Sequence, residues 1–547
     1  MIRKYLLLFL GCATFCFAGA QQNILPAVKT TSFKKDSFNI ITFGAVNDGV
    51  TLNTKSINDA IIACNKKGGG VVVVPKGMWL SGPIYILSNV NLHLQKNALL
   101  QFTNDLSQYN LTETNWEGLA AVRNQSPLSA TNAVNIAVTG QGIVDGNGDA
   151  WRMVKKDKLS ESQWKTLMMR GGVLSDDKKT WYPSASSFAG SKVEKAGVLA
   201  TGKTMSDFAT IKDFLRPNLL VFTQCDKILL DGVTFQNSPA WNLHPLMCTN
   251  LIVRNISVKN PWYAQNGDGI DIESCKNVLV ENSVFDVGDD GICIKSGRDE
   301  EGRKRNMPTE NLIVRNCTVY HAHGGFVIGS EMSGGAKNIY VNDCTFIGTD
   351  IGLRFKTTRG RGGVVENIFI DGINMKDIVG EAMLFDMYYA AKDPITLVGE
   401  KREAPVVEFK EVNGTTPQFK NIFIKNVVCN GAEKALFVRG LPEMNIHDIS
   451  IENFTVSAKK GIDISEAKSI SLKNVKVFSG GENPAVEISN SNNILFDKVV
   501  INSSSSPLIR IGGDRTKSIV FKNNADKKAK EKAVFEFGAT PSVLVVD

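Results

Sequence analysis

A nine-residue pattern that returns along the chain constrains the fold more than any other feature. It reads Lys227-Ile-Leu-Leu-Asp-Gly-Val-Thr-Phe, then Asn250-Leu-Ile-Val-Arg-Asn-Ile-Ser-Val. It restarts at Asn277, Asn311, Asn338, Asn367 and Asn421, with weaker copies from Asp448, Ser469 and Asn493. Most restarts lie 21 to 29 residues apart, and the two long intervals, 34 and 54, contain insertions. Each copy alternates apolar and polar residues, turns, and continues into a second strand such as GICIKS, GFVIGS or GLRFKT. Alternation with period two marks half-buried strands. Short strands on a fixed coil length predict an all-β fold, a parallel β-helix in which each coil covers the apolar edge of the next. Stretches of period 3.6 are missing from these copies, which excludes helical repeats. A propeller blade needs about 40 residues, more than most of these intervals supply.

The segments outside the repeat read compatibly. Residues 54–66 predict a capping helix ahead of the first strands, and a capped end keeps a solenoid soluble. Residues 89–145 read as further strand–turn units. Three stretches break the pattern and are expected to be insertions: 152–216, 298–310 and 390–418. Otherwise residues 21–547 are expected to be one solenoid domain. Cys275, Cys293, Cys317, Cys344 and Cys429 fall mostly on strand positions, where they are expected to be small buried fillers, with a disulfide between neighbouring coils as the alternative. No CxxC spacing occurs, so a zinc site is not expected.

Arg3 and Lys4, the apolar run Tyr5 to Phe17 and the small residues Ala18-Gly19-Ala20 read as a signal peptide cleaved near Ala20. Leu10-Gly11-Cys12 offers a weaker lipoprotein alternative. The protein is therefore expected to be secreted or periplasmic. Beyond that run no segment is apolar for long enough to span a bilayer. The formal charge of +7 suits a polyanionic ligand without demanding one. No basic run with interleaved aromatics is present, which argues against nucleic acid.

Four segments on successive coils carry chemistry: Asn266-Gly-Asp268, Gly288-Asp289-Asp290, His321-Ala-His323-Gly and Arg354-Phe-Lys356. Asp268 precedes the Asp289/Asp290 pair by 21 to 22 residues, one coil, and each site precedes a similar strand. Strands there stack ~4.8 Å apart, so the three carboxylates must crowd together. Two such charges ~4 Å apart repel by roughly 4 kcal/mol at an effective dielectric near 20. One proton is therefore expected to stay bound above the usual carboxylate range. A retained acid beside ionised bases is what glycosidic cleavage requires. His323 falls one coil further, where an imidazolium can orient the acid. Arg354 and Lys356 alternate on a strand and point to one face, which suits capture of a sugar carboxylate. Taken singly, each has an ordinary explanation: an Asp-rich turn or calcium loop, a surface histidine, a solvated strand face. The ordered series is what carries the reading.

At these residues the sequence resembles glycoside hydrolase family 28, the polygalacturonases and their relatives. That family's signature runs Asn-Thr-Asp, Gly-Asp-Asp, Gly-His-Gly and Arg-Ile-Lys. Here it stands as NGD (266–268), GDD (288–290), AHGG (322–325) and RFK (354–356). The likeness spans roughly residues 40 to 500 in architecture and is most specific between 260 and 360. It implies a right-handed parallel β-helix with an open groove and an inverting hydrolysis of α-1,4-galacturonosyl linkages in pectin. Asp289 would be the general acid, and Asp268 and Asp290 would activate the water. His323 would support Asp289, while Arg354, Lys356 and Asn266 would bind substrate. Tyr388 or Tyr389 stands where the family has a subsite tyrosine, and a packed aromatic fits that position equally. Trp241, Trp262 and Tyr263 are similarly ambiguous. Inversion is expected to set the carboxyl groups about 6.5–9.5 Å apart. No metal or organic cofactor is implied, the partner is a pectic polysaccharide or oligosaccharide, and a monomer is expected. Gly267, Ala322 and Phe355 depart from the signature without removing an ionisable group. A hydrolase of rhamnogalacturonan, a polysaccharide lyase and a non-catalytic carbohydrate-binding solenoid are the alternatives. The three insertions are long enough to wall off one end of a groove, which favours release of single residues from a chain terminus.

Overall fold

Asparagine opens so many copies of the repeat because the backbone turns there. Asn277, Asn311, Asn338, Asn367 and Asn421 all adopt the left-handed conformation, with φ between 53° and 57°. Among residues with a side chain, Asn and Asp tolerate that region best. The same side chains then bond from coil to coil. Nδ2 of Asn311 donates to Oδ1 of Asn277 at 3.1 Å, Asn338 donates to Asn311 at 3.3 Å, and Asn367 donates to Asn338 at 3.2 Å.

The computed structural model describes residues 26–391, 397–398, 401–402, 407–481, 484–523 and 531–547. The signal segment and much of the 390–418 insertion lie outside them. The coils form a right-handed parallel β-helix. One sheet of 14 parallel strands runs the length of the molecule in strict chain order, from Ile84–Tyr85 to Ala533–Glu536. The other faces merge into a 25-stranded sheet. Late in the chain its strands lengthen to 13 residues, as in Val364–Lys376 and Gln418–Asn430. The interior is a single apolar cluster from Ile40 to Leu544. Rings stack along it, Phe355 on Phe385 at 4.5 Å between centroids. The eight cysteines of the described residues are free and buried. Cys293, Cys344 and Cys429 lie on strands, and Cys275 and Cys317 at corners between strands.

Helix α1, Thr54–Lys66, closes the first coil by burying Ile57, Ala60, Ile61 and Cys64. The 152–216 insertion carries α2 (Glu161–Met168), α3 (Ala185–Ser191) and a small three-stranded antiparallel sheet. The 298–310 insertion is α4, Asp299–Arg305. One stretch departs from the strand–turn reading of residues 89–145. Leu111–Trp116 and Leu119–Asn124 pair antiparallel as a hairpin that leaves the coil. Its turn residues, Glu117 at φ 47° and Gly118 at φ 78°, are both left-handed, which is what a tight hairpin demands.

Candidate active site

Strand register decides which side chains meet. In the 14-stranded sheet Ile270 is opposite Ile292, which places Asp268 beside Asp290, and Gly269 N–H donates to the Asp290 carbonyl at 2.9 Å. Asp290 is opposite Gly324, so Asp289 stands beside His323, whose N–H donates to the Asp289 carbonyl at 2.9 Å. One carboxylate oxygen from each of Asp268, Asp289 and Asp290 lies within 4.8 Å of the other two. That is shorter than the 6.5–9.5 Å expected above. The coil spacing of a parallel sheet imposes it on any side chains in adjacent rows.

Asp290 is almost wholly buried, at 1% exposure, yet it is clamped by two cations. Lys356 Nζ lies 2.7 Å from Oδ2 and Arg354 Nη1 lies 3.2 Å from Oδ1. Both reach back over two coils, and the coil between carries Gly324 opposite Asp290 and Gly329 beside the Lys356 backbone. A Cβ on Gly324 would come within 3.4 Å of Arg354 Cδ, and one on Gly329 would collide with the Lys356 carbonyl. Burial alone would push Asp290 up, but Lys356 and then Arg354 outweigh it and hold the carboxyl well below its ordinary range.

Asp268 behaves oppositely. It is 3% exposed, and its Oδ1 meets no hydrogen-bond donor among the described residues. Burial first, then the charges of Asp271 and Asp289, push it well above the usual range. Crowding therefore acts on Asp268 in the direction expected, toward the protonated form, but desolvation is the larger cause. Below it, Asp271 is fully buried with both oxygens free of hydrogen bonds, and Lys295 Nζ lies 3.5 Å away. Lys295 also pairs with Glu331 at 2.9 Å. Burial would raise Glu331, but Lys295 holds it down at about 2. This network escaped the sequence reading. The signal was available: Lys295 of GICIK stands at the position where Lys356 ends LRFK, in the same row two coils away.

His323, half-exposed, sits with Nδ1 3.3 Å from Asp289 Oδ1 and Nε2 3.7 Å from Asp350 Oδ2. The Asp289 contact, against the opposing effect of burial, raises its pKa. Asn266, at φ 53°, accepts a hydrogen bond from Arg216 Nη2 through Oδ1 at 2.9 Å. The two tyrosines part company. Tyr389 presents its ring to Lys356 Nζ at 5.1 Å and to Arg354 at 6.0 Å. Tyr388 is buried in the core, between Arg359 and Arg439 at 5.5 and 5.2 Å. Trp241 is buried beside Lys295, at 4.9 Å, whereas Trp262 is largely exposed.

Three acidic oxygens this close could also hold a cation. Here both oxygens of Asp290 are already engaged by cations, and burial pushes Asp268 toward its neutral form, so both carboxyls are less available to a metal. The arrangement suits proton transfer: one carboxyl held toward its ionised form, one pushed toward its protonated form and one paired with histidine lie side by side.

Residues 165–435 match the family described as Glycosyl hydrolases family 28. Residues 37–115 match a second family, Rhamnogalacturonase A/epimerase, pectate lyase-like. A "Probable polygalacturonase" of Vitis vinifera is 28% identical over 435 residues, covering 78% of this chain and 75% of that protein. An "Exo-poly-alpha-D-galacturonosidase" of Dickeya chrysanthemi is 29% identical over 375 residues, 66% of this chain and 58% of the other. Names of both exo- and endo-acting enzymes occur among the matches. Among solved structures, a hyperthermoactive exopolygalacturonase from Thermotoga maritima superposes with a TM-score of 0.65 at 29% identity. It covers 82% of this chain and 94% of its own.

Proposed function

The chain belongs to glycosyl hydrolases family 28, and from that membership we propose that its convergent aspartates hydrolyse α-1,4-galacturonosyl linkages from a chain end. It is a glycosidase of the polygalacturonase type. The observation that carries the mechanism is the clustering of Asp268, Asp289 and Asp290 within 4.8 Å, with Asp290 alone clamped by cations. Asp289, paired with the His323 imidazolium at 3.3 Å, relays that ring's proton to the leaving oxygen and leaves the imidazole neutral. Asp290, held ionised, takes the proton of the attacking water. Asp268 keeps its own proton in the free protein and helps to orient that water. Arg354 spends Nη1 on Asp290 and the His323 carbonyl, keeps its other donors and, with Tyr389 beside it, receives a sugar carboxylate. Lys356 is buried against Asp290, so its part is to set the charge of the base.

In support of action from a chain end, a hairpin is placed where it would wall off one end of a groove over the aspartates. The hairpin Leu111–Asn124 leaves the coil near Leu128–Thr131 and docks on α4, which follows the strand Asp290–Lys295. That is a reach of four strand steps, about 19 Å at the usual strand spacing. Glu117 pairs with Arg298 at 3.2 Å, and Ala120 N–H donates to Glu301 at 2.7 Å. Inversion is proposed on the family resemblance, since the coil spacing sets the carboxylate distance whatever the stereochemistry.

Digestion of polygalacturonate, sampled early, tests these points together. Single residues and a first-formed β-anomer by proton NMR are expected. An early ladder of oligomers would sink the chain-end reading, and a first-formed α-anomer would sink inversion. Asp289→Asn is expected to lower kcat by about 10²–10⁴, the usual worth of a general acid. An unchanged rate would remove Asp289 from that role.

A further inference from the structure

Arg123 is a buried cation with no counter-ion among the described residues. It lies on the hairpin strand Leu119–Asn124 and is 6% exposed. Among the described residues its guanidinium makes no hydrogen bond and no ion pair, and Nε is sealed from solvent without a partner. The ring of Trp116 lies 3.8 Å from the guanidinium carbon. That stacking occupies a face of the group and leaves its N–H edge unused. The nearest acid, Glu117, is committed to Arg298 at 3.2 Å.

The neighbourhood makes the vacancy more costly. Asn124 donates twice to the Leu215 carbonyl, from N at 3.1 Å and from Nδ2 at 2.9 Å, which pins the hairpin beside Arg216. Arg216 is itself buried, and its terminal nitrogens are spent on the carbonyls of Pro239 and Gln265 and on Asn266 Oδ1. Burial, and then the charge of Arg216, pull the Arg123 guanidinium down to about 9. A cation held out of water is destabilising unless an anion meets it. Nothing among the described residues supplies that anion.

The position of Arg123 says where the anion comes from. Trp116 stacks on Trp241 at 5.3 Å and 14°. Trp241 precedes Asn242, whose N–H and Nδ2 both donate to the Asp268 carbonyl, at 2.9 and 3.1 Å. Arg123 therefore overlies the coil just before Asp268, while Arg354 lies on the second coil after Asp290. The two arginines flank the aspartates along the groove.

We propose that Arg123 receives the carboxylate of a second uronate unit, on the opposite side of the scissile bond from the unit held by Arg354. A guanidinium edge of this kind takes a carboxylate in bidentate fashion, which fixes orientation as well as charge. Arg123 is thus a specificity-determining residue contributed by the hairpin, and it lies between the two family matches rather than within either. The inference rests on the proposed galacturonate hydrolysis.

The test is steady-state hydrolysis of trigalacturonate by the full chain, as wild type, Arg123→Gln and Arg123→Lys. Arg123→Gln is expected to raise KM at least 10-fold with kcat within 3-fold. It is also expected to flatten the dependence of log KM on log salt, which loss of a merely structural contact would not do. Arg123→Lys restores charge without the bidentate edge and is expected to fall between. A KM within twofold of wild type for Arg123→Gln, with wild type active, overturns the inference alone. An inactive wild type overturns the functional reading beneath it. If Arg123→Gln does not fold, Arg123→Lys decides: a KM raised about 3-fold or more supports the role, and an unchanged KM and salt slope refutes it.

Discussion

Asp268 and Asp290 are the same residue type in one row on neighbouring coils, and their acidities are driven in opposite directions. Both are buried, so burial alone would raise both. The difference comes from cations supplied two coils later by Lys356 and Arg354, which reach Asp290 directly. His323 adds a pH-dependent term. Its imidazolium is favoured by Asp289, so its folded pKa lies above the unfolded value of about 6.5. The stability it contributes is complete below that unfolded value and is lost as pH rises through the raised folded one. His323→Gln is expected to remove this loss from a melting-temperature profile taken between pH 6 and 9. It is also expected to shift the alkaline limb of kcat/KM. A wild-type profile with no such fall would deny the pairing. At this scale the candidates Asp268, Asp289, Asp290, His323, Arg354 and Lys356 were legible because the coil length puts them in register. That Lys356 serves Asp290, and that Tyr388 turns inward while Tyr389 faces the cations, was not, because both depend on distances between coils.

The coil and the hairpin show two ways in which sequence becomes structure here. The coil is written in a local code: an asparagine at the left-handed turn, alternation along the strand, an asparagine on the next coil to bond to the last. The hairpin has no such repetition. Its strands alternate poorly, and its place is fixed by contacts distant in sequence, Glu117 with Arg298 and Val122 with Phe208, Ile211 and Leu215. Gly118 is its tightest point. At φ 78°, a Cβ there would lie 2.5 Å from the Arg298 nitrogen. Gly118→Val is therefore expected to lift the hairpin from α4 while leaving the coils folded. If the hairpin is the wall, early digests by this variant will contain oligomers that wild type does not release. An unchanged product pattern with an unchanged KM would move the wall elsewhere.

On the scale of the whole molecule, a single core from Ile40 to Leu544 makes each coil depend on its two neighbours. Stability in such an array is a sum of nearest-neighbour terms, so it falls toward the ends. Amide hydrogen exchange is expected to be slowest between about residues 220 and 480 and faster in the coils beyond 500. Uniform protection would indicate a cooperative unit longer than neighbour coupling provides. The amino-acid sequence by itself determined the solenoid, the capping helix over 54–66 and the order in which catalytic candidates appear along the axis. It could do so because a repeating coil converts sequence separation directly into spatial rows. Only the tertiary structure decided which aspartate keeps a proton, which cations neutralise which acid, and where the hairpin and Arg123 come to rest. Those outcomes rest on burial and on contacts between non-repeating segments, and no period in the chain encodes them.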